Sequence, residues 1–129
     1  MDEELFCRLY VTCAGSLDDV AGMAAREAHL FAGPLVDVIA SPNDGYAPGR
    51  GGQSYDCIDD AQFEVEVVAD VGPSLGREEF EAGVVGFVTA LRKHGWFVTV
   101  SGDFEDRVVS ETGWNWTRQT PNPPGWSRQ

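Results

Sequence analysis

Basic residues are scarce in this sequence. Its 129 residues include only 9 Lys and Arg against 21 Asp and Glu, so the formal net charge is −12. Binding to nucleic acid or to an anionic lipid surface requires cationic side chains that neutralise phosphates. The composition therefore argues against nucleic-acid and membrane partners. It favours a basic protein as the partner.

The sequence also lacks a long apolar segment and a basic leader. A membrane-spanning helix needs about 18 or more consecutive apolar residues, and no stretch here approaches that length. The first residues are Met1-Asp2-Glu3-Glu4, which are acidic where a secretory signal would be basic. We therefore expect a soluble, cytoplasmic protein.

Cysteine and histidine are few and do not form a known metal or redox motif. The cysteines are Cys7, Cys13 and Cys57, and the histidines are His29 and His94. Cys7 and Cys13 would share one strand face about 20 Å apart, at about 3.3 Å per residue, which is too far for a disulfide. We predict that both are small core residues and that the protein has no cofactor and no metal. The alternative is a Cys–His dyad that uses Cys57.

Apolar residues make up 43% of the chain, which is enough for one hydrophobic core. Their period of two predicts strands, and their helical spacing predicts helices. In chain order we predict a strand over 5–13, a helix over 17–30, strands over 35–40 and 63–69, a helix over 77–93, a strand over 96–100 and a short helix over 104–112. Ser16 and Asp103 are the predicted N-caps of the first and last helices, and Gly33-Pro34 is predicted to end the first.

This order of elements defines the predicted fold class. A βαββαβ order is typical of a ferredoxin-like α+β sandwich, with an antiparallel sheet and the helices on one face. The short helix near the C-terminus is an addition to that pattern. The alternative to this helix is that the last strand continues to Val109. Residues 1–118 are predicted to form a single domain, and residues 119–129 a Pro-rich extended tail.

Acidic and aromatic residues occur together in the turn-rich loop 41–61 and again after Asp103. Glu64 and Glu66 also point the same way from one strand, about 7 Å apart. Aromatic side chains suit burial in an interface, and charges steer a partner towards it. The predicted partner-binding residues are Asp44, Tyr46, Tyr55, Asp56, Asp59, Asp60, Glu64, Glu66, Asp103, Glu105, Asp106, Trp114 and Trp116. The alternatives are that the two tryptophans cover the sheet edge and that the two glutamates lie on a solvated sheet face.

With these features, the chain resembles the small acidic immunity proteins of bacterial polymorphic toxin systems. The resemblance lies in one acidic domain without a catalytic motif, and it is most distinctive in the stretch Val98–Trp116, VTVSGDFEDRVVSETGWNW. It implies a protein that is not an enzyme and that binds and neutralises a cognate toxin domain. Toxin domains that attack nucleic acid are basic, so an acidic inhibitor would be drawn to them. The expected state is a monomer or a homodimer.

Two other functions are compatible with the same residues. A ferredoxin-like domain can bind a small molecule between its strands and helices and act in regulation. A small carboxylate-dependent enzyme would use Glu64, Glu66 or Cys57, and an ordered metal or a deep pocket at these carboxylates would favour it.

Overall fold

An antiparallel sheet forms the centre of the structure. The computed structural model describes residues 4–28, 36–70 and 76–126, and within them the chain is an α+β protein with four strands and three helices. The elements are β1 (Glu4–Thr12), α1 (Leu17–Glu27), β2 (Asp37–Pro42), β3 (Phe63–Asp70), α2 (Arg77–Lys93), β4 (Phe97–Ser101) and α3 (Glu105–Thr112). The predicted α+β class and the predicted order of elements are confirmed.

The strands lie in the order β2-β3-β1-β4, and each neighbouring pair is antiparallel. Leu9 in the middle of β1 is paired with Val65 of β3 on one side and with Val100 of β4 on the other. All three side chains are buried on the same face of the sheet. The period-two pattern of the sequence therefore predicted correctly which face is buried.

The helices cover that buried face. α1 packs on β2, and α2 packs on β4 and contacts α1. The apolar side of α2 is fully buried, as its spacing predicted, and α1 contributes Val20, Met23 and Ala24. The core residues of α2 are Phe80, Val84, Phe87, Val88 and Leu91. Burial of this apolar area is the main stabilising contribution to the fold.

The ends of the helices follow the sequence signals in part. The Ser16 hydroxyl accepts a hydrogen bond from the Asp19 amide at 3.2 Å, and the Asp19 carboxylate accepts one from the Ser16 amide at 2.8 Å. This capping box confirms the predicted start of α1.

The predicted start of α3 is wrong by one residue, and so is its cap. α3 is helical over Glu105–Thr112, which also excludes the alternative strand. Phe104 is its N-cap residue and makes no side-chain cap bond, while Asp103 is exposed. The reason is that Glu105 accepts the Gly102 amide at 3.1 Å and so holds the preceding turn in place of an Asp103 cap.

Several predictions fall outside the described residues. These are the end of the first helix at Leu30, the Gly33-Pro34 break, the start of the second strand at Leu35, and His29.

A second, smaller apolar cluster lies on the opposite face of the sheet. It contains Tyr10 of β1 together with residues of the loop and of the C-terminal segment. Its buried members are Tyr10, Tyr55, Cys57, Ala61 and Trp114, and Trp116 and Trp126 pack against them. The loop and the C-terminal segment therefore cover part of the face that the helices leave open.

The segment after residue 118 contacts this cluster as far as it is described. The Asn122 side chain accepts the Tyr55 amide at 2.7 Å, and the Thr120 carbonyl accepts the Trp114 indole N–H at 3.2 Å. Trp126 packs edge-on against Tyr55 with 5.8 Å between ring centroids. The segment is thus attached by hydrogen bonds as well as by its aromatic residue.

The cysteines are buried and form no disulfide. Cys7 and Cys13 belong to the main core, as predicted, and Cys57 belongs to the second cluster. None of the described helices combines the length and the apolar character needed to cross a bilayer.

Candidate functional site

The loop between β2 and β3 is held in place by the buried side chain of Asn43. Its amide nitrogen donates hydrogen bonds to the carbonyls of Ile58 and Ala61, the second at 2.7 Å. Its oxygen accepts the Gly45 amide at 3.0 Å. One side chain thus joins the two ends of a loop of about twenty residues, which limits the motion of a segment rich in glycine.

Asp60 has the same function at the other end of the loop. Its carboxylate, only 8% exposed, accepts the amides of Gly49 at 3.0 Å and Asp56 at 2.9 Å. The Asp56 carboxylate in turn accepts the amides of Ile58 and Asp59. Two of the predicted partner-binding aspartates are therefore used within the loop itself.

Tyr55 lies beneath the loop and is 1% exposed. Its hydroxyl is 2.9 Å from the Thr12 hydroxyl, and its carbonyl accepts the Trp116 indole N–H at 2.8 Å. Burial raises the pKa of the Tyr55 phenol above its ordinary range. Trp114 is 5% exposed and packs beside it, so these predicted contact residues offer almost no area to a partner.

The outer part of the loop is exposed and combines apolar and acidic side chains. Tyr46 is 44% exposed and Ile58 is 48% exposed, while Asp44 is exposed and Asp59 is half-buried. We call Asp44, Tyr46, Ile58 and Asp59 the loop tip. The two chain segments of the loop tip lie close together, because a Cβ added at Gly45 would be 3.3 Å from the Ile58 side chain.

Ile58 was missed by the reasoning from sequence. The signal was a single isoleucine next to Asp59 and Asp60, in a loop where large aliphatic residues are otherwise rare. Its side chain is 48% exposed and belongs to neither apolar cluster.

Glu64 and Glu66 lie on the face of the sheet opposite the helices, as predicted, and Arg8 lies between them. The Arg8 guanidinium is 3.1 Å from the Glu66 carboxylate and 3.9 Å from that of Glu64. The arginine also lies over the exposed Phe6 ring, 5.8 Å from its centroid. One positive charge therefore offsets part of the negative charge of the two glutamates.

The acidic residues around α3 have different surroundings. Asp103 and Asp106 are exposed, whereas Glu105 accepts the Gly102 amide. The pKa of the Cys57 thiol is raised to about 12, mainly by burial and in part by the charges of Asp56, Glu105 and Asp59. Glu105 at the start of α3 and the loop aspartates therefore act on the same thiol.

The part of the chain that the structure describes holds no group of three His, Cys, Asp or Glu side chains placed to bind a metal ion. Comparison with family models, with curated proteins and with solved structures finds no match to this chain.

Proposed function

We propose that the protein acts by binding, as an immunity protein that neutralises a cognate bacterial toxin domain, and that the loop tip is its main contact. The observation that carries this proposal is the exposure of Tyr46 and Ile58 beside the carboxylates of Asp44 and Asp59. Large apolar side chains supply binding energy when a partner covers them. Surrounding carboxylates select a partner with a positive surface.

The internal hydrogen bonds of the loop support this proposal. Ordering a flexible loop on binding costs free energy, and a loop that is already ordered avoids most of that cost. Asn43 and Asp60 order the loop without using the side chains of Tyr46 and Ile58. In this proposal the buried Tyr55, Asp60 and Trp114 are the scaffold of the contact surface.

The net charge supports a basic partner. At −12, the molecule attracts a positive protein over distances beyond direct contact. A nuclease-type toxin domain is basic because it must bind phosphates. The exposed Asp103 and Asp106 add to the negative charge of the surface.

We also infer that the architecture is a ferredoxin-like sandwich with additions. The strand order β2-β3-β1-β4, with antiparallel neighbours, and the packing of α1 and α2 on one face support this inference. The additions are α3, the loop between β2 and β3, and the C-terminal segment that packs against this loop. The loop tip is part of the loop.

The experiment measures binding to the product of the adjacent gene, purified as the full toxin domain. In the variant with Asp44→Asn and Asp59→Asn, we expect the association rate constant at low salt to fall about tenfold, because steering is weakened. Tyr46→Ala should instead raise the dissociation rate constant about 30-fold, because it removes a contact of hot-spot type.

Asp37→Asn is the matched control. It removes one exposed carboxylate at the far end of β2 and should leave both rate constants close to those of the wild type. Equal effects of Asp37→Asn and of the loop variants would contradict the assignment of the loop tip. Turnover of a substrate by the isolated protein would contradict the binding function itself.

A further inference from the structure

A cavity of about 300 Å³ lies where α2, β4 and α3 meet the C-terminal segment. Trp114 lines this cavity and also belongs to the second apolar cluster. Aromatic and proline side chains form most of its wall, and one charged residue reaches it. The residues that matter here are Arg92, Trp96, Phe97, Trp114, Pro123 and Pro124. The size is at the lower end of the range for small-molecule sites.

Arg92 is mostly buried and has neutral partners. Its Nε and Nη2 donate to the Val98 carbonyl at 3.2 and 2.7 Å, and its Nη1 donates to the Thr112 hydroxyl at 2.8 Å. The guanidinium lies over the Trp114 ring, 5.3 Å from the centroid. Among residues 4–28, 36–70 and 76–126, no carboxylate forms an ion pair with it.

A buried cation without a counter-ion is costly to the fold. Burial lowers the pKa of Arg92 to about 10, so the side chain remains charged at neutral pH. A guanidinium has five N–H donors, and the three bonds above leave two of them for a ligand. In a protein with 21 acidic residues, this arginine lies at a largely apolar cavity and forms no ion pair with a described carboxylate, while Glu111 lines a neighbouring groove with it.

From this cavity and its arginine, we propose that the protein has a binding site for a small organic monocarboxylate with an apolar, flat body. The carboxylate would accept the two remaining N–H donors of Arg92, and the body would lie against Trp96, Phe97 and Pro124. A single guanidinium balances one negative charge, and the net charge of −12 disfavours ligands with more.

The test uses phenylacetate, indole-3-acetate and hexanoate as probes on the full chain. Trp96 and Trp114 line the cavity, so their indole N–H signals in NMR spectra report occupancy. We expect saturable shifts of these signals with at least one probe at millimolar concentration. Phenylacetamide, which has the same body without the charge, should bind at least about tenfold more weakly.

Two variants test the site from different sides. Arg92→Gln removes the charge and should weaken binding at least about tenfold. Because this change also removes bonds to Val98 and Thr112 and can destabilise the fold, Pro124→Trp is the second variant. Pro124 is exposed, so a tryptophan there can fill the cavity without disturbing the core. It should abolish the shifts while the melting temperature stays near that of the wild type.

The control is Tyr46→Ala, which should bind the probes like the wild type because Tyr46 lies in the loop tip. The absence of saturable shifts with all three probes would overturn the proposal, and so would unchanged binding in Pro124→Trp. Tighter binding of phenyl phosphate than of phenylacetate would overturn the assignment to monocarboxylates. None of these measurements uses the toxin, so they can disprove the proposed ligand site without testing the proposed immunity function.

Discussion

At the scale of single residues, the buried Asn43 side chain connects the two ends of the loop. Asn43→Ala should lower the free energy of unfolding by about 1–3 kcal/mol, because it leaves buried carbonyls of the loop without a donor. Urea unfolding followed by circular dichroism measures this change. The adjacent Asp44→Ala is the matched control and should stay within about 0.5 kcal/mol, since Asp44 is exposed. Equal losses in the two variants would contradict the bridging role of Asn43.

The buried thiols make the stability depend on alkaline pH. Burial raises the pKa of Cys7 and of Cys57 from 9.0 to about 12. Above about pH 9 the unfolded chain loses these protons and the folded chain keeps them, so stability is fully present below pH 9 and falls as the pH rises. Each thiol should contribute a slope of about −1.4 kcal/mol per pH unit within this window.

The measurement is the urea midpoint at several pH values between 8 and 10, in the wild type and in Cys57→Ala. Cys57→Ala should make the slope less steep, even if it also lowers the stability at pH 8. The thiols of Cys7 and Cys13, whose pKa burial also raises, account for part of the slope that remains. An unchanged slope in this variant would show that the thiol of Cys57 does not titrate during unfolding.

Residues within regular elements were predictable from the sequence, whereas the buried residues of the loop were not. The alternation of β3 indicated that Val65 and Val67 are buried, because a strand alternates its faces with a fixed period. Tyr55 has no such local pattern. Its burial depends on Thr12 and Asn122, which are 43 and 67 residues away. Contacts at such separations are set by the tertiary fold and leave no periodic signal in the sequence.

At the scale of elements, the free edge of β4 is covered by a side chain. The buried Asn115 accepts the Val100 amide at 2.8 Å and donates to the Val100 carbonyl at 3.0 Å, as a neighbouring strand would. Asn115→Ala should lower the free energy of unfolding by about 1–3 kcal/mol, because it leaves both groups of Val100 unpaired. It should also promote self-association, since an uncovered edge can pair with another strand.

Urea unfolding measures the first effect, and sedimentation velocity at several protein concentrations measures the second. The nearby exposed Gln119→Ala is the control for both. If Asn115→Ala were as stable and as monodisperse as this control, Asn115 would not protect the edge.

The assignment of α2 to the core makes a separate prediction. Val84 is fully buried between α2 and the sheet, and Val109 on α3 is 40% exposed. Val84→Asp should prevent cooperative folding, because it buries an unpaired charge. The same change at Val109 should alter stability by less than about 1 kcal/mol. Thermal unfolding followed by circular dichroism separates the two, and a cooperative transition in Val84→Asp near that of the wild type would contradict the core.

The bounds of α2 agree with the prediction at both ends, while the cap of α3 does not. α2 has Glu78 and Glu79 in its first turn and Arg92 and Lys93 in its last, which are the charges that the helix dipole favours at each end. Such signals are local and can be seen in the sequence. At the start of α3, Glu105 accepts the Gly102 amide and Phe104 packs against Phe80, a contact between residues 24 positions apart that the local sequence does not reveal.

At the scale of the whole molecule, the two faces of the sheet are covered by different parts of the chain. The face under α1 and α2 is the core on which folding depends. The other face carries the loop and the C-terminal segment, which bring the loop tip to the surface. The fold class could be predicted from the sequence, since it follows from periodicities. Which of the predicted contact residues are buried and which are exposed could not be predicted, because this depends on how two distant segments pack together.

The excess of negative charge should make the molecule sensitive to salt even without a partner. With a net charge of −12, like charges repel one another in the folded state, and salt screens this repulsion. Raising NaCl from low to moderate concentration should therefore increase the melting temperature by about 3–5 °C, or about 1 kcal/mol for a chain of this size. Asp37, Asp44 and Asp103 are exposed, so changing all three to Asn should make the increase smaller. A melting temperature that falls with added salt would mean that ion pairs outweigh the repulsion between the remaining charges, among them the pairs of Arg8 with Glu66 at 3.1 Å and of Arg107 with Glu78 at 2.8 Å.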